Sequence, residues 1–290
     1  MKELVIISGK GGTGKTSLTA SFGYLARDNV LSDCDVDAAD LHILAQPDIR
    51  HEEEFFGGQK ARIDPEKCSE CGLCRESCRF GAISAEFAVD PFSCEGCGVC
   101  FHVCPEEAVT MSDSLNGHWF ISDTRLGPMV HAALAPGEEN SGKLVALVRN
   151  QARVLANTLG RSLIISDGAP GVGCPVISSV TGADHVVVVT EPSMSGLHDT
   201  KRAVELVRGF KIPVSVIINK WDINPDVAAR VAEFCEQTDV PLLGRIPYDV
   251  AVTKAMVQRR TPVEDGQNAV EQSIRDIWET IESEILSQGG

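Results

Sequence analysis

Apolar positions along this chain fall mostly into short unbroken runs rather than into alternation. Such runs are 3–8 (ELVIIS), 29–33 (NVLSD), 162–166 (SLIIS), 185–190 (HVVVVT), 213–219 (PVSVIIN) and 242–246 (LLGRI). Continuous Val, Ile and Leu suggest strands buried on both faces, as in parallel sheets. Between several of them lie stretches of helical character, about 16–26, 199–210, 226–237 and 249–259. Strand–helix alternation predicts an α/β fold with a doubly wound, mostly parallel sheet. A last helix, about 267–287, sets Val270, Ile274, Ile277, Trp278, Ile281 and Ile285 on one face. A membrane-surface helix would want Lys and Arg beside that stripe. From Glu264 onward there are seven acidic residues and one basic residue, Arg275. Packing against the sheet is therefore expected.

The alternation breaks between 63 and 110, where the chain repeats itself. Ile63-Asp64-Pro65 returns as Val89-Asp90-Pro91, and Ala82-Ile83-Ser84 as Ala108-Val109-Thr110. Cys68, Cys71, Cys74 and Cys78 each recur 26 residues later as Cys94, Cys97, Cys100 and Cys104. The pattern reads as an α+β module at 63–111 inserted between two parts of one α/β domain, 1–62 and 112–290.

Composition narrows the setting. The chain has 290 residues, of which 43% are hydrophobic and 23% charged, ordinary values for a globular protein. No apolar run reaches the roughly 18–20 residues that span a bilayer. The N-terminus lacks the basic flank and long apolar core of a signal peptide, so the cytoplasm is the expected compartment and no membrane insertion is expected. The formal charge of −15 disfavours nonspecific nucleic-acid binding, which rests on Lys and Arg. Eight of the eleven cysteines lie between Cys68 and Cys104. Without a signal peptide, tight C-x-x-C spacing favours metal over disulfides. Cys34 and Cys235 read as structural, and the histidines show no metal-ligand spacing.

Both halves of the repeat read C-x2-C-x2-C-x3-C. Thiolates hold iron–sulfur clusters, and this spacing lets a tight loop wrap three of them around one cube. Gly72, Gly96 and Gly98 would let backbone approach the sulfides. The alternative is zinc in a Cys-rich ribbon, though zinc ribbons rarely repeat a four-cysteine run so closely. Over roughly 50 residues the segment resembles the bacterial two-cluster ferredoxins. The resemblance implies two 4Fe-4S clusters, with the fourth cysteine of each run serving the other cluster. One cluster would take Cys68, Cys71, Cys74 and Cys104, and the other Cys94, Cys97, Cys100 and Cys78. Proline usually follows the fourth cysteine in that family. Pro105 keeps this, whereas Arg79 follows Cys78, a departure expected to shift one cluster's potential without removing a ligand.

The first strand runs into Gly9-Lys10-Gly11-Gly12-Thr13-Gly14-Lys15-Thr16, which fits G-x-x-x-x-G-K-S/T. Glycines at Gly11, Gly12 and Gly14, with Thr13 and Ser17 beside them, free backbone N–H groups to surround phosphates. Lys15 would reach the β/γ oxygens, and the Thr16 hydroxyl can ligate Mg²⁺. The motif sits between a strand and a helix, as it must to bind ATP.

Lys10 makes the motif more particular. K-G-G-x-G-K-S/T resembles the "deviant Walker A" family that includes MinD, ParA, the nitrogenase iron protein and Mrp-type cluster carriers. The resemblance implies an ATP-dependent homodimer in which Lys10 contacts phosphate across the interface, the role an arginine finger fills elsewhere. Asp33-Cys34-Asp35 looks like switch I, with Asp35 orienting the attacking water and Asp33 near the magnesium. Asp167, in Ser166-Asp167-Gly168-Ala169-Pro170-Gly171, looks like the Walker B aspartate that holds Mg²⁺ through water. Asn219-Lys220 and Ile246-Pro247-Tyr248-Asp249 resemble the two base-contacting loops, so Asn219 and Pro247 are expected at the base. A lone aspartate at a strand end is more simply a helix cap or turn. Several in family order weaken that reading.

MinD-type ATPases with an inserted ferredoxin domain share this whole layout. They also resemble 127–148, where Gly127-Pro128 and His131-Ala132 precede the polar block at 138–145. That block is expected to be a loop and a helix start, with Ser141 a candidate cap. Cys174 lies seven residues after Asp167, the distance of a cluster-ligating cysteine in the nitrogenase iron protein. With no partner cysteine evident, a small buried residue is the simpler reading.

Three functions compete. One is an ATPase coupling nucleotide state to electron transfer or metallocluster assembly, with a redox or metallocluster partner protein. The second is a cluster carrier or scaffold whose ATP site only controls docking. A positioning ATPase is the third, and it leaves the cysteine module without a task.

Overall fold

A computed structural model of the chain describes residues 1–138, 142–264 and 268–286. The elements run β1 (Lys2–Ser8), α1 (Lys15–Leu25), β2 (Asn29–Asp33), α2 (Leu41–Ala45), β3 (Asp48–Ile63), α3 (Leu73–Ser77), α4 (Val99–Val103), β4 (Val109–Asp123) and β5 (Met129–Leu134). They continue as α5 (Lys143–Leu159), β6 (Leu163–Pro170), α6 (Cys174–Val180), β7 (His185–Thr190), α7 (Met194–Gly209), β8 (Val214–Asn219), α8 (Pro225–Gln237), β9 (Leu242–Ile246), α9 (Val250–Val257) and α10 (Ala269–Thr280). The strands order as β3-β4-β5-β2-β6-β1-β7-β8-β9. Every pair from β5 to β9 is parallel.

The chain divides into two compact units, one of 1–52, 119–133 and 140–290, the other of 53–118 and 134–139. In the first, the unbroken apolar runs form the central strands. β7 is buried at all six positions because side chains on both faces are covered. Alternate residues of β1 serve two cores. Leu4 and Ile6 pack with Phe22 of α1, Ile165 of β6 and the α10 stripe Val270, Ile274, Ile277 and Trp278. Val5 and Ile7 pack with Val176 of α6, Leu197 and Val204 of α7 and Val231 of α8. Phe22 and Trp278 bring their rings to 5.4 Å. Helix starts follow capping chemistry: Ser193, Asn224, Asp249 and Asn268 each accept a backbone N–H of their helix's first turn.

Several elements differ from the sequence expectation. The last helix is α10, shorter than 267–287, followed by a π-helical turn Ile281–Leu286; positions 267 and 287 lie outside the described residues. The 127–148 stretch holds a full strand, β5, that the pattern does not predict, whereas the helix start expected in the polar block is there, the 17-residue α5 beginning at Lys143. The candidate cap Ser141 lies outside the described residues. The apolar pattern predicts neither β3 nor β4, and the second unit extends on both sides of 63–111. In it, α3 and α4 occupy corresponding places in the two halves of the cysteine repeat. No helix among the described residues is long and apolar enough to cross a membrane.

Away from the glycine-rich loop, one buried ion pair fastens three elements. Glu3, on β1, accepts from Arg149 Nε at 2.7 Å and from Arg153 Nη2 at 2.6 Å. Arg149 Nη1 also donates to the Ser178 and Thr181 carbonyls, 2.7 Å each, closing the C-terminal end of α6. Removing one partner of a buried pair strands the other charge. Arg149→Ala is therefore expected to lower unfolding free energy by about 3–5 kcal/mol. Arg153→Ala, whose side chain is 37% exposed, should cost about 1 kcal/mol or less. Urea denaturation of the two variants measures both, and equal losses would show that burial does not set the difference.

Candidate functional site

Parallel strands deliver their C-terminal ends to one edge of the sheet, and ligand sites in open α/β sheets form there, where strand order reverses. Here β1 lies between β6 and β7, and the loops after β1, β2 and β6 meet. The loop after β1 is the glycine-rich one. Gly14 heads α1 at φ 92°, a left-handed conformation that favours glycine. A Cβ there would stand 2.4 Å from Asn219 Nδ2. That amide donates to the Thr13 carbonyl at 2.7 Å, and Lys220 Nζ donates to the Gly12 carbonyl at 3.0 Å. The end of β8 thus braces the loop.

Lys15 points into a set of buried carboxylates. Its Nζ lies 2.8 Å from Asp167 Oδ1 and 3.3 Å from Asp35 Oδ2. Thr16 donates to Asp167 Oδ2 at 2.7 Å, and Thr19, one helical turn on, donates to Asp167 Oδ1 at 2.9 Å. Asp33 is fully buried; its Oδ1 accepts the Asp35 backbone N–H at 3.2 Å, while Oδ2 has no hydrogen-bond partner. Burial pulls the Lys15 pKa down, but Asp167, Asp35 and Asp33 outweigh it and the net direction is up. Burial drives Asp33 well above the usual carboxylate range, and the charge of Asp167 adds to this. Asp35 is raised by burial against the pull of Lys15. With one cation among three carboxylates, the site favours further positive charge.

A cavity of about 430 Å³ opens beside these groups. Gly11, Gly12, Thr13, Gly14, Lys15, Thr16, Ser17 and Asp35 are among its lining residues, as are Asn219, Pro247, Tyr248, Val252, Met256, Ile43, Leu44 and Pro262. Lys10 is turned elsewhere. Its Nζ pairs with Glu191 Oε1 at 2.5 Å and reaches the Ser193 and Ser195 hydroxyls at 3.3 and 3.4 Å. Sequence reasoning did not find Glu191 or Thr19. Thr19 was reachable from helical spacing, since it stands four residues after Lys15.

In the second unit none of the eight repeat cysteines is paired in a disulfide. One cavity is lined by Cys68, Cys71, Cys74 and Cys104, another by Cys78, Cys94, Cys97 and Cys100. The fourth cysteine of each run therefore stands with the first three of the other. A Cβ on Gly96, at φ 62°, would come within 2.0 Å of the Gln59 carbonyl oxygen, so backbone passes closely there. The Ala108 N–H points to Cys104 Sγ at 3.3 Å. Burial raises the Cys74 thiol, with Cys68 and Cys104 adding, and it raises Cys100, with Cys94 and Cys97 adding. Among the described residues, no three His, Cys, Asp or Glu side chains cage a single metal ion. Cys174, expected as a small buried residue, is instead exposed at the start of α6, while Cys34 and Cys235 are buried, their thiols pushed up to about 12 and about 11.

A glycine-rich loop between β1 and α1, a buried lysine at its end and acidic strand ends around it define a P-loop nucleotide-binding protein. The sequence comparison makes this specific: the chain belongs to the CobQ/CobB/MinD/ParA nucleotide binding domain family, which matches residues 4–263. A relative over nearly the whole length is the uncharacterized protein MJ0578 of Methanocaldococcus jannaschii, 30% identical over 289 residues, 98% of this chain and 97% of that one. A cytosolic Fe-S cluster assembly factor Nubp1 homolog of Drosophila grimshawi is 31% identical over 81 residues, 24% of this chain and 26% of its own. Among solved structures, the septum site-determining protein MinD complexed with Mg-ADP from Pyrococcus horikoshii superimposes with a TM-score of 0.58, covering 99% of each chain at 18% identity. The mostly parallel α/β fold of this chain is similar to that of MinD.

The glycine-rich loop gives a structural test. Gly14→Ala must adopt φ 92° and displace Asn219, and is expected to cost about 1–3 kcal/mol of stability. Nothing lies within 4 Å of a Cβ at Gly11, so Gly11→Ala should stay within about 0.5 kcal/mol. Thermal or urea unfolding separates them. Equal effects would mean that Asn219 does not hold the loop.

Proposed function

We propose that this protein binds and hydrolyses MgATP as a homodimer and carries two 4Fe-4S clusters, coupling nucleotide state to electron transfer or metallocluster assembly with a partner protein. The observation that carries the reading is the presence in one chain of a P-loop cavity and two cavities, each with four cysteines in its lining.

For the nucleotide, the N–H groups of Gly11 to Ser17 and the Lys15 ammonium supply the phosphate cradle, and Asn219, which braces that loop, and Pro247 line the same cavity and would meet the base. Magnesium fits the hard oxygen donors present, Thr16, Asp33 and Asp167, and the unpartnered Oδ2 of Asp33 supports a cation there. Bound metal would neutralise charge developing on the transferred phosphoryl group. Asp35, within reach of Lys15 and lining the same cavity, is suited to orient the attacking water. Lys10 would act in trans on a partner's nucleotide, after leaving Glu191.

For the clusters, Cys68, Cys71, Cys74 and Cys104 would hold one and Cys94, Cys97, Cys100 and Cys78 the other, within the module at 63–111. Thiols arranged around a cavity suit a cube whose irons each take one thiolate. Zinc would need its sulfurs all about 2.3 Å from one point. The short likeness to a Nubp1 homolog, whose name gives Fe-S cluster assembly, supports a link to that chemistry. A carrier or scaffold role shares every one of these features except turnover.

Protein prepared without oxygen is expected to hold about eight iron and eight sulfide per chain. Cys71→Ser or Cys97→Ser should lose about half of each, by iron and acid-labile sulfide assay. Zinc without sulfide would refute the cluster assignment. On the nucleotide side, Lys15→Ala should reduce ATP affinity at least about tenfold. Lys10→Ala should spare binding to the monomer but suppress hydrolysis and ATP-dependent dimerisation. Hydrolysis by Lys10→Ala at the parent rate would remove the trans role.

A further inference from the structure

We propose that Arg125 is the positioning residue for the apolar wall of the nucleotide cavity and sets affinity for the nucleoside part of the ligand. The proposal rests on the nucleotide reading of that cavity.

Beside Val252 and Met256 of α9 and Val270 and Ile274 of α10, two segments without strong structure of their own supply part of this wall. Ile43 and Leu44 come from α2, a five-residue helix whose N-cap, Asp40, makes no side-chain capping bond. A helix so short has little intrinsic stability. Pro262 comes from the connection after α9, where the described residues 258–264 form neither strand nor helix. Leu41, Leu44 and Val263 bury against the core, which fixes depth but not direction.

Arg125 ties the two segments together. Its Nε donates to the Leu44 carbonyl at 2.8 Å, and its own backbone N–H to the Ala45 carbonyl at 3.3 Å. Nη1 and Nη2 donate to Glu264 Oε2 and Oε1 at 2.8 and 2.9 Å, a two-pronged pair, and Nη2 also reaches the Arg259 carbonyl at 3.0 Å. Glu264 Oε1 accepts the Thr261 N–H at 2.6 Å. Gln46 closes the circuit by donating to the Arg259 carbonyl at 3.1 Å. Burial alone would raise the Glu264 pKa, but its hydrogen bonds to Arg125 and Thr261 hold it low.

Arg125 is itself held. Thr124 Oγ1 donates to the Gly127 carbonyl at 2.6 Å and accepts the Leu126 N–H at 3.0 Å, and Asn29 donates to the Leu126 carbonyl at 3.2 Å. The planar guanidinium spans a carboxylate and carbonyls on different segments at once, which the point-like lysine ammonium does not. Neither Arg125 nor Glu264 lines the cavity. They act through Ile43, Leu44 and Pro262, which do line it.

The phosphate end and the nucleoside end can be read separately. Affinities for MgATP and for inorganic tripolyphosphate are measured on the parent chain and on Arg125→Ala, Arg125→Lys and Glu264→Gln, with steady-state hydrolysis alongside. All three variants are expected to lose about tenfold in ATP affinity, with tripolyphosphate affinity retained and the loss falling on KM rather than kcat. Arg125→Lys should not rescue. Should Arg125→Ala fail to fold, the near-isosteric Glu264→Gln carries the test. Parent-like ATP affinity in the variants overturns the proposal, as does equal weakening of both ligands. A parent protein that binds neither ligand overturns the nucleotide reading first, and this proposal with it.

Discussion

Three carboxylates and one lysine, all shielded from water at the end of a parallel sheet, are the constraint around which the first unit is built. Charges are costly to bury unless paired. Lys15 is held by Asp167 and Asp35, and Thr16 and Thr19 spend their hydroxyls on the same aspartate. Such an arrangement needs strand ends from distant parts of the chain to arrive together. The β2-β6-β1 order does this, with Asp33 and Asp167 in register on neighbouring strands. The two apolar cores on either face of β1 supply the stiffness. Bracing by Asn219 and Lys220 then fixes the loop that carries the lysine.

The central strands were legible because being buried on both faces leaves unbroken Val and Ile runs. The glycine-rich loop was legible because it needs fixed residue types at fixed spacing. Strand β3 was not, since most residues of DIRHEEEFFGGQKARI are exposed at the sheet edge and only Ala61 is buried, so burial imposes no periodicity on it. Its charges, including Glu52, Glu53 and Glu54, are what an edge strand uses to avoid pairing with other chains. Helix α5 was within reach: Leu144, Val145, Val148, Ala152 and Ala156 bury at helical spacing, and Gly160 ends it in a left-handed turn.

Site residues divide in the same way. Lys15, Thr16, Asp35 and Asp167 belong to short motifs, and the structure brings them within hydrogen-bond or ion-pair reach of one another. Glu191 and Arg125 belong to no motif. Each matters only through a residue far away in sequence, Lys10 for one and Glu264 for the other. Only tertiary structure reveals such pairs. In the cysteine repeat the spacing is plain in the sequence, and the grouping of Cys78 with Cys94, Cys97 and Cys100, which the spacing alone does not set, is the one that the ferredoxin resemblance implies.

The claim that Lys15 and Asp167 act as one buried unit is open to a direct test. A double-mutant cycle of Lys15→Met and Asp167→Asn, read by urea unfolding without nucleotide, isolates their coupling. Lys15→Met alone leaves three carboxylates facing one another and should be the most destabilised of the set. The double variant should recover part of the loss, giving a coupling energy of about 1–3 kcal/mol. Losses that add to within about 0.5 kcal/mol would contradict the pairing.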